Sequence, residues 1–538
     1  MSTNTDAQNR ALPTEMSDKF GPMLVKELRQ GLRTKVFLTA FIGFQAILLV
    51  MVLSAFASAG NTYRSADFLN ASIWAVLTIM LVVITPLRGQ FALEKEIRTG
   101  TLELLQITHL DAWHIVRGKW SALMGEAMLY LAAALPYFTL RYFLGGVNIL
   151  SDLGWLALIA LLSGTLTAVV VGLSGFRSVL LRIGIAIGIV MLVPLTMQIM
   201  EEMVYSYRGG FSPFTGSTFS DWWELFTGMI IAMLVIGWSF LRLGARTIAT
   251  QAENHSTGVR LATLFGLAAM LLLDRMADSP STVPTVREGT PFLFCFFSFG
   301  VFTCGLFIAI TDNSLQSTRV YAPFIRRRIT PLGRLLLYPG WGAAFLYVMI
   351  ISAMLMLVRL MKEEPEEILL SALLIFNVLM LPAAVTRTMM RMKGVRYFQL
   401  STYITVLVGI GIASAVLLLA ETWVTDDEPV ITMLFPIPAL AGADMNKEEL
   451  AIALQAVSAF LTSGLLLIMA VDDIGFTRRR ELATRALLAK RELESRQEEA
   501  NETEAPAAVV SSAGHEGDPA ESAEVEPPEI EPEQEERS

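Results

Sequence analysis

The sequence predicts an all-α integral membrane protein with about twelve transmembrane helices. They form two parallel six-helix halves, with amphipathic surface helices beside them and a disordered acidic tail. Three observations predict this. Hydrophobic residues make up 54% of the 538 and charged residues only 17%, where soluble domains carry about 25% charge. Apolar runs of the length that the hydrocarbon core demands, about 20 residues, recur near 36–58, 69–87, 120–140, 153–175, 180–200, 224–242, 259–273, 291–311, 339–358, 368–386, 400–420 and 449–471. With the N-terminus inside, the inner segments hold about four times as many Lys and Arg as the outer loops, the bias of cytoplasmic loops. Both termini are therefore expected in the cytoplasm, and the protein in the cytoplasmic membrane as a multi-pass chain. The run at 259–273 is short, yet omitting it would place Arg326, Arg327, Arg328, Arg387 and Arg391 outside, against that bias.

Loop lengths give the two halves, 19–245 and 246–471. In each, the long connections follow the second span and precede the sixth: 88–119 and 201–223, then 312–338 and 421–448. Six is even, so the halves face the same way.

Residues 1–18 are polar and expected to be disordered. No signal peptide is expected, because the first apolar run starts near Val36, is too long for an h-region and lacks a small-residue cleavage site. An amphipathic elbow, 20–35, opens at Gly21-Pro22 with Pro at the first helical position, and Phe20, Leu24, Leu28 and Leu32 recur every four residues against Lys26, Arg29 and Arg33. Such a helix lies along a membrane surface.

Residues 91–119 are too polar for the bilayer and too patterned for a plain connector. Glu94, Lys95, Glu96 and Arg98 end one helix, Thr99-Gly100-Thr101 breaks it, and Glu103 sits in the first turn of another, where a carboxylate suits the positive dipole end. Leu102 and Leu105 share a face with Leu104 beside them, an apolar knob suited to a groove on a partner. His109-Leu110-Asp111 turns the chain, and Gly118-Lys119 returns it to the membrane.

This segment, Glu-x-Glu-x-x-Gly-Thr-Leu-Glu-Leu-Leu followed by a Gly-Lys that opens an apolar span, resembles the cytoplasmic signature of ABC type 2 exporter permeases, as does the elbow GPMLVKELRQGLRTKVF. The family's Thr-Pro after the double Leu is Thr108-His109 here. The resemblance covers about the first 245 residues; the second half follows by topology. It implies a permease whose segment between spans 2 and 3 meets a separate ABC ATPase subunit carrying ATP and Mg. Glu94, Glu96, Gly100, Thr101, Leu102, Glu103 and Leu105 would then be the coupling residues. The loop 312–338 carries Arg326, Arg327 and Arg328 and no equivalent motif, so it is expected to anchor to anionic lipid or to couple in a degenerate way.

Tyr205, Tyr207, Phe211, Phe214, Phe219, Trp222 and Trp223 crowd the outer connection before span 6. That density fits an interfacial loop; the family resemblance implies an external gate. Within the spans, Glu126 lies about 10 Å beyond Lys119 along a helix, inside the inner leaflet, where it serves a substrate or proton or pairs with a neighbouring helix. Gln45, Gln198 and Asn377 are expected to hydrogen-bond between helices. Cys295 and Cys304, nine apart, fall on opposite sides of a helix, which excludes a disulfide between them.

After span 12, 472–497 reads as an amphipathic helix with Leu482, Ala486, Ala489 and Leu493 on one side and Glu481 four residues before Arg485. Residues 498–538 hold 14 acids and one base and are expected to be disordered. The remainder of the chain is net positive, with no pattern for nucleic-acid binding.

No catalytic motif stands out. Gly118-Lys119-Trp120 lacks the upstream Gly and the hydroxyl of a phosphate-binding loop; His109 and His114 have no cysteine near and suit no zinc site. An exporter permease without an active site, cofactor or metal of its own is the leading reading. An ion-coupled carrier of twelve spans comes second, lacking paired intramembrane charges and broken helices, and a membrane scaffold third. The pathway is formed by one chain or by a pair, as a homodimer or with a second permease chain.

Overall fold

The computed structural model describes residues 22–57, 62–100, 111–144, 149–176, 178–208, 217–250, 253–277, 300–312, 317–326, 330–361, 366–394, 400–424 and 448–509, with side chains for most of these. Among them the secondary structure is helical, with no strand. The chain divides into two compact units between Glu481 and Leu482.

In chain order the helices are α1 (Pro22–Leu32), α2 (Lys35–Ala57), α3 (Thr62–Thr78), α4 (Thr85–Arg88), α5 (Glu94–Thr99), α6 (Ala112–Leu144), α7 (Ile149–Leu173), α8 (Val179–Arg208) and α9 (Ser217–Ile248). They are followed by α10 (Ser256–Ala277), α11 (Gly300–Ile310), α12 (Thr318–Arg326), α13 (Pro331–Leu337), α14 (Trp341–Met361), α15 (Glu366–Met392), α16 (Leu400–Val424) and α17 (Glu448–Val509). Among the described residues, nine helices are long and apolar enough to cross a membrane. Three shorter apolar helices, Val179–Pro194, Gly300–Ile310 and Trp341–Leu355, fall at other expected stretches. The protein is thus an all-helical chain fit for a bilayer, and large apolar side chains such as Val36, Leu38, Ile42 and Val50 on α2 remain exposed, as a lipid-facing surface requires.

Two differences from the expected boundaries bear on function. The third apolar helix begins at Ala112 rather than near Trp120, so the end of the polar segment is already helical. The last helix ends at Val509, eleven residues past the expected start of the tail.

Span 2 is not a plain helix. Between α3 and α4 the backbone adopts a π-helical register over Ile79–Ile84. Pro86 supplies the cause: it has no N–H to offer the carbonyl one turn back, and its ring presses on that turn, which a widened register relieves. The loosened carbonyls find side-chain donors. Thr85 Oγ1 donates to Met80 O at 2.9 Å and the buried Ser163 Oγ of α7 donates to Leu81 O at 2.6 Å.

Two large apolar cores result. One gathers Phe44 and Leu48 of α2, Trp74 and Leu77 of α3, Tyr130 and Phe138 of α6 and Ile159 of α7. The other gathers Leu267 and Met270 of α10, Phe302 and Leu306 of α11, Phe345 of α14, Met380 of α15, Tyr403 of α16 and Leu466 of α17. Between them α9 serves both sides: Leu241, Ala245 and Ile248 pack with Leu93 before α5 and with Ala112 and Ile115 of α6, while Leu243 packs with Val259 of α10 and Ile308 of α11. Interhelical polar contacts follow the expectation for two of the three amides. Tyr137 Oη donates to Gln45 Oε1 at 2.9 Å, and Asn377 Nδ2 donates to Gln455 Oε1 at 2.7 Å. Gln198 lies outside the described side chains, as do the aromatic residues 205–223 and Cys295. Cys304 is buried.

Candidate functional site

The polar segment after span 2 is built as a bracket. The chain leaves α4 through a single 3-10 turn, Gly89–Phe91, and enters α5, which ends at Gly100 with φ +69°. A left-handed residue at that position closes a helix and suits glycine, which has no Cβ to clash. The break expected at Thr99-Gly100 is therefore present. Thr101, Leu102, Glu103 and Leu105, with His109, lie outside the described residues.

The acids of α5 turn inward. Glu94 pairs with Arg182 of α8 at 2.7 Å, and Glu96 pairs with Lys119 of α6 at 2.8 Å. Lys119 also reaches Glu27 of α1 at 3.4 Å, so one buried ammonium joins three elements. Leu93 N donates to Ser174 Oγ at 3.1 Å, which ties the approach to α5 to the end of α7. Lys95, Arg98 and Gly100 remain exposed. The sequence reading gave Glu94 and Glu96 a partner-facing role; in the fold their carboxylates hold the segment to the membrane helices.

The elbow forms a helix separate from span 1. Thr34 accepts from Phe37 N at 3.2 Å and so caps α2. Its apolar side lies against α6, where Gly118 and Gly125 leave room for Met23 and Leu28. Any side chain at Gly118 would collide with Met23, so the close approach requires glycine there. Just beyond, the Glu126 carboxylate pairs with the Arg88 guanidinium at the end of α4, which in turn stands 5.5 Å from the Phe37 ring centroid. Of the two roles open to Glu126, the fold provides the interhelical pairing.

A second polar centre, which the sequence reading did not single out, surrounds the end of α11. Helix C-termini leave carbonyls unpaired, and a buried end needs donors. Arginines from three helices gather there, and two of them, Arg246 and Arg387, donate to its carbonyls. Arg246 of α9 donates to Thr311 Oγ1 at 2.5 Å and to Asp312 Oδ1 at 3.3 Å, and Arg387 of α15 donates to Ile310 O at 3.1 Å and Asp312 O at 3.2 Å. Arg260 of α10 donates to Asp312 Oδ2 at 2.7 Å and also to the carbonyls of Leu336, Tyr338 and Gly340. Ser256 Oγ completes the set with a 2.8 Å bond to Asp312 Oδ1. Burial alone would raise the Asp312 carboxyl, but Arg246 and Arg260 outweigh it and hold the group below the usual carboxylate range. Asp312 is the counter-charge that lets the cations gather at a negative helix end.

A junction lies between the two centres. The Arg242 guanidinium of α9 stands 4.1 Å from the Trp113 ring centroid in the first turn of α6 and 4.9 Å from that of Trp238. Its Nη1 lies 3.2 Å from His255 Nδ1, whose Nε2 lies 2.9 Å from Glu253. Since Arg donates, Nδ1 must accept, and the neutral ring then donates through Nε2. Burial pushes the His255 pKa down, against the pull of Glu253, and Arg242 and Arg246 push the same way.

Legible in the sequence was a charged segment with a break at Gly100. Unread were Asp312, the first residue of the loop 312–338, and Arg246, Arg260 and Arg387, which entered only through the bias of basic residues toward the inner segments. The one available signal was that each lies within a turn of an apolar run, too deep to be solvated freely.

Comparison with known proteins adds no relative: no family model, curated protein or solved structure matches the chain.

Proposed function

We propose that the chain is the membrane-embedded permease subunit of an ABC-type exporter, moving its substrate across the cytoplasmic membrane with ATP hydrolysed by a separate subunit. On this reading twelve spans form two parallel halves with both termini in the cytoplasm, and residues 101–110 are the contact for the ATPase.

The observation that carries the reading is the bracket at Lys119. A connector between two spans has no need of a buried ion pair to α6, shared there with α1, and a half-buried one to α8. A segment that receives force does, because a load applied beyond Gly100 must reach the helices without bending α5. Roles divide accordingly: Glu94 and Glu96 brace, Gly100 sets the turn, and Thr101, Leu102, Glu103 and Leu105 meet the partner. Glu126, paired with Arg88, belongs to the brace.

The test is co-purification of the full chain from detergent with an ATPase bearing a phosphate-binding loop. Leu105→Asp should abolish retention of that subunit while membrane insertion stays normal. Unchanged retention would remove 101–110 from the docking surface.

A further inference from the structure

The loop 312–338 has no counterpart of the motif at 94–105, so the second half needs another source of motion. We propose that the Trp113–Arg242–His255 junction is that source: the contact through which the end of the coupling segment moves α10, α11 and the helices behind them. The idea rests on the permease reading for its purpose, though its geometry stands without it.

Trp113 stands three residues after position 110, in the first turn of α6. Any rotation of that turn moves an indole ring pressed on the Arg242 guanidinium. Arg242 is bonded to His255, and the next residue, Ser256, donates to Asp312. One turn along α9, Arg246 reaches the same carboxylate. Asp312 then passes the displacement to Arg260, which holds the chain ahead of α14 through Leu336, Tyr338 and Gly340. Hydrogen bonds, one ring contact and the His255–Ser256 peptide bond make the path continuous from the coupling segment to three helices of the second half. Its apolar backing is continuous too, because α9 packs on α6 with one face and on α10 and α11 with another. Arg242 is the positioning residue of the path: a planar cation can stack on an indole and donate sideways at once, which a lysine ammonium cannot do.

The test is hydrogen–deuterium exchange on the full chain in lipid nanodiscs, with no ATPase present. Trp113→Ala and Arg242→Gln should each speed exchange about tenfold in residues 253–260, 308–312 and 336–341, the factor for losing a desolvated cation–π contact. The double variant should show no more than either single change, since both cut one path. His255→Gln should stay close to the parent, because the amide can accept from Arg242 and donate to Glu253. Leu241→Ala, which opens the same apolar packing without touching the junction, should alter exchange only near 111–117 and 238–246. Should Trp113→Ala fail to insert, Trp113→Phe keeps a ring and should give a smaller rise at the same three sites. Exchange confined to the neighbourhood of the substitution, or additive effects in the double variant, would overturn the proposal. Neither result bears on whether an ATPase docks at 101–110, so the two ideas fail separately.

Discussion

Lys119 and Asp312 solve the same electrostatic problem with opposite signs. Each is a buried charge whose cost is met by partners on several helices, Glu27 and Glu96 for the one, Arg246 and Arg260 for the other. Removing one member of such a set strands the rest without compensation, at about 3–5 kcal/mol. Asp312→Asn should therefore lower the midpoint of thermal unfolding in detergent by several degrees, and adding Arg246→Met should recover part of that loss by removing a stranded cation. No recovery would show that the arginines find other partners. His255 makes a pH-dependent contribution whose sign follows from its depressed pKa. Above about pH 6.5 the imidazole is neutral in both folded and unfolded chains. Below it the unfolded chain takes up a proton that the fold resists, so stability falls as pH drops toward the folded pKa. His255→Gln should flatten the unfolding midpoint between pH 7.5 and 5.5 relative to the parent; an equal slope in both would exclude this residue. These charges were hard to read because position along the chain does not reveal which way a side chain turns. Glu94 and Glu96 look like a surface motif in sequence and pair with Arg182 and Lys119 in the fold.

At the scale of elements, the π-helical stretch Ile79–Ile84 and the elbow are the parts whose construction matters most. Pro86 creates the stretch, and Ser163 makes it tolerable by satisfying Leu81 O inside the packed helices. Ser163→Ala should cost about 1–3 kcal/mol, the price of one orphaned buried carbonyl, measured as a drop in unfolding midpoint, whereas an exposed hydroxyl such as Thr39 should be replaceable by Val at no comparable loss. The elbow's period of four was legible, as was Pro at its start. Its partner was not: Gly118 and Gly125, seven apart on α6, are unremarkable until Met23 and Leu28 are seen against them. Helix ends fall within a few residues of the apolar runs on α2 and α16. On α6 and α17 the helix continues past the apolar run through charged turns, because its hydrogen bonds do not depend on apolarity.

For the whole molecule, hydropathy alone gave the all-helical membrane class, since a chain with these apolar runs can satisfy its backbone in lipid as helices. What hydropathy could not give is how the parts are tied. The ties run through α9, which shares packing with the first core's neighbours and with α10 and α11, and through polar contacts between residues distant in sequence such as Arg260 and Tyr338. On the proposed topology a membrane-impermeant thiol reagent should label Thr101→Cys from the cytoplasmic face of inverted vesicles and leave it unmodified in intact cells; the reverse pattern would turn the molecule over. On the proposed function, residues 101–110 receive force from an ATPase on a separate subunit. A photo-reactive amino acid at position 105, activated in intact membranes, tests it most directly. The account predicts a covalent adduct with a subunit carrying a phosphate-binding loop; an adduct that forms only with lipid or with a second copy of the chain would contradict it.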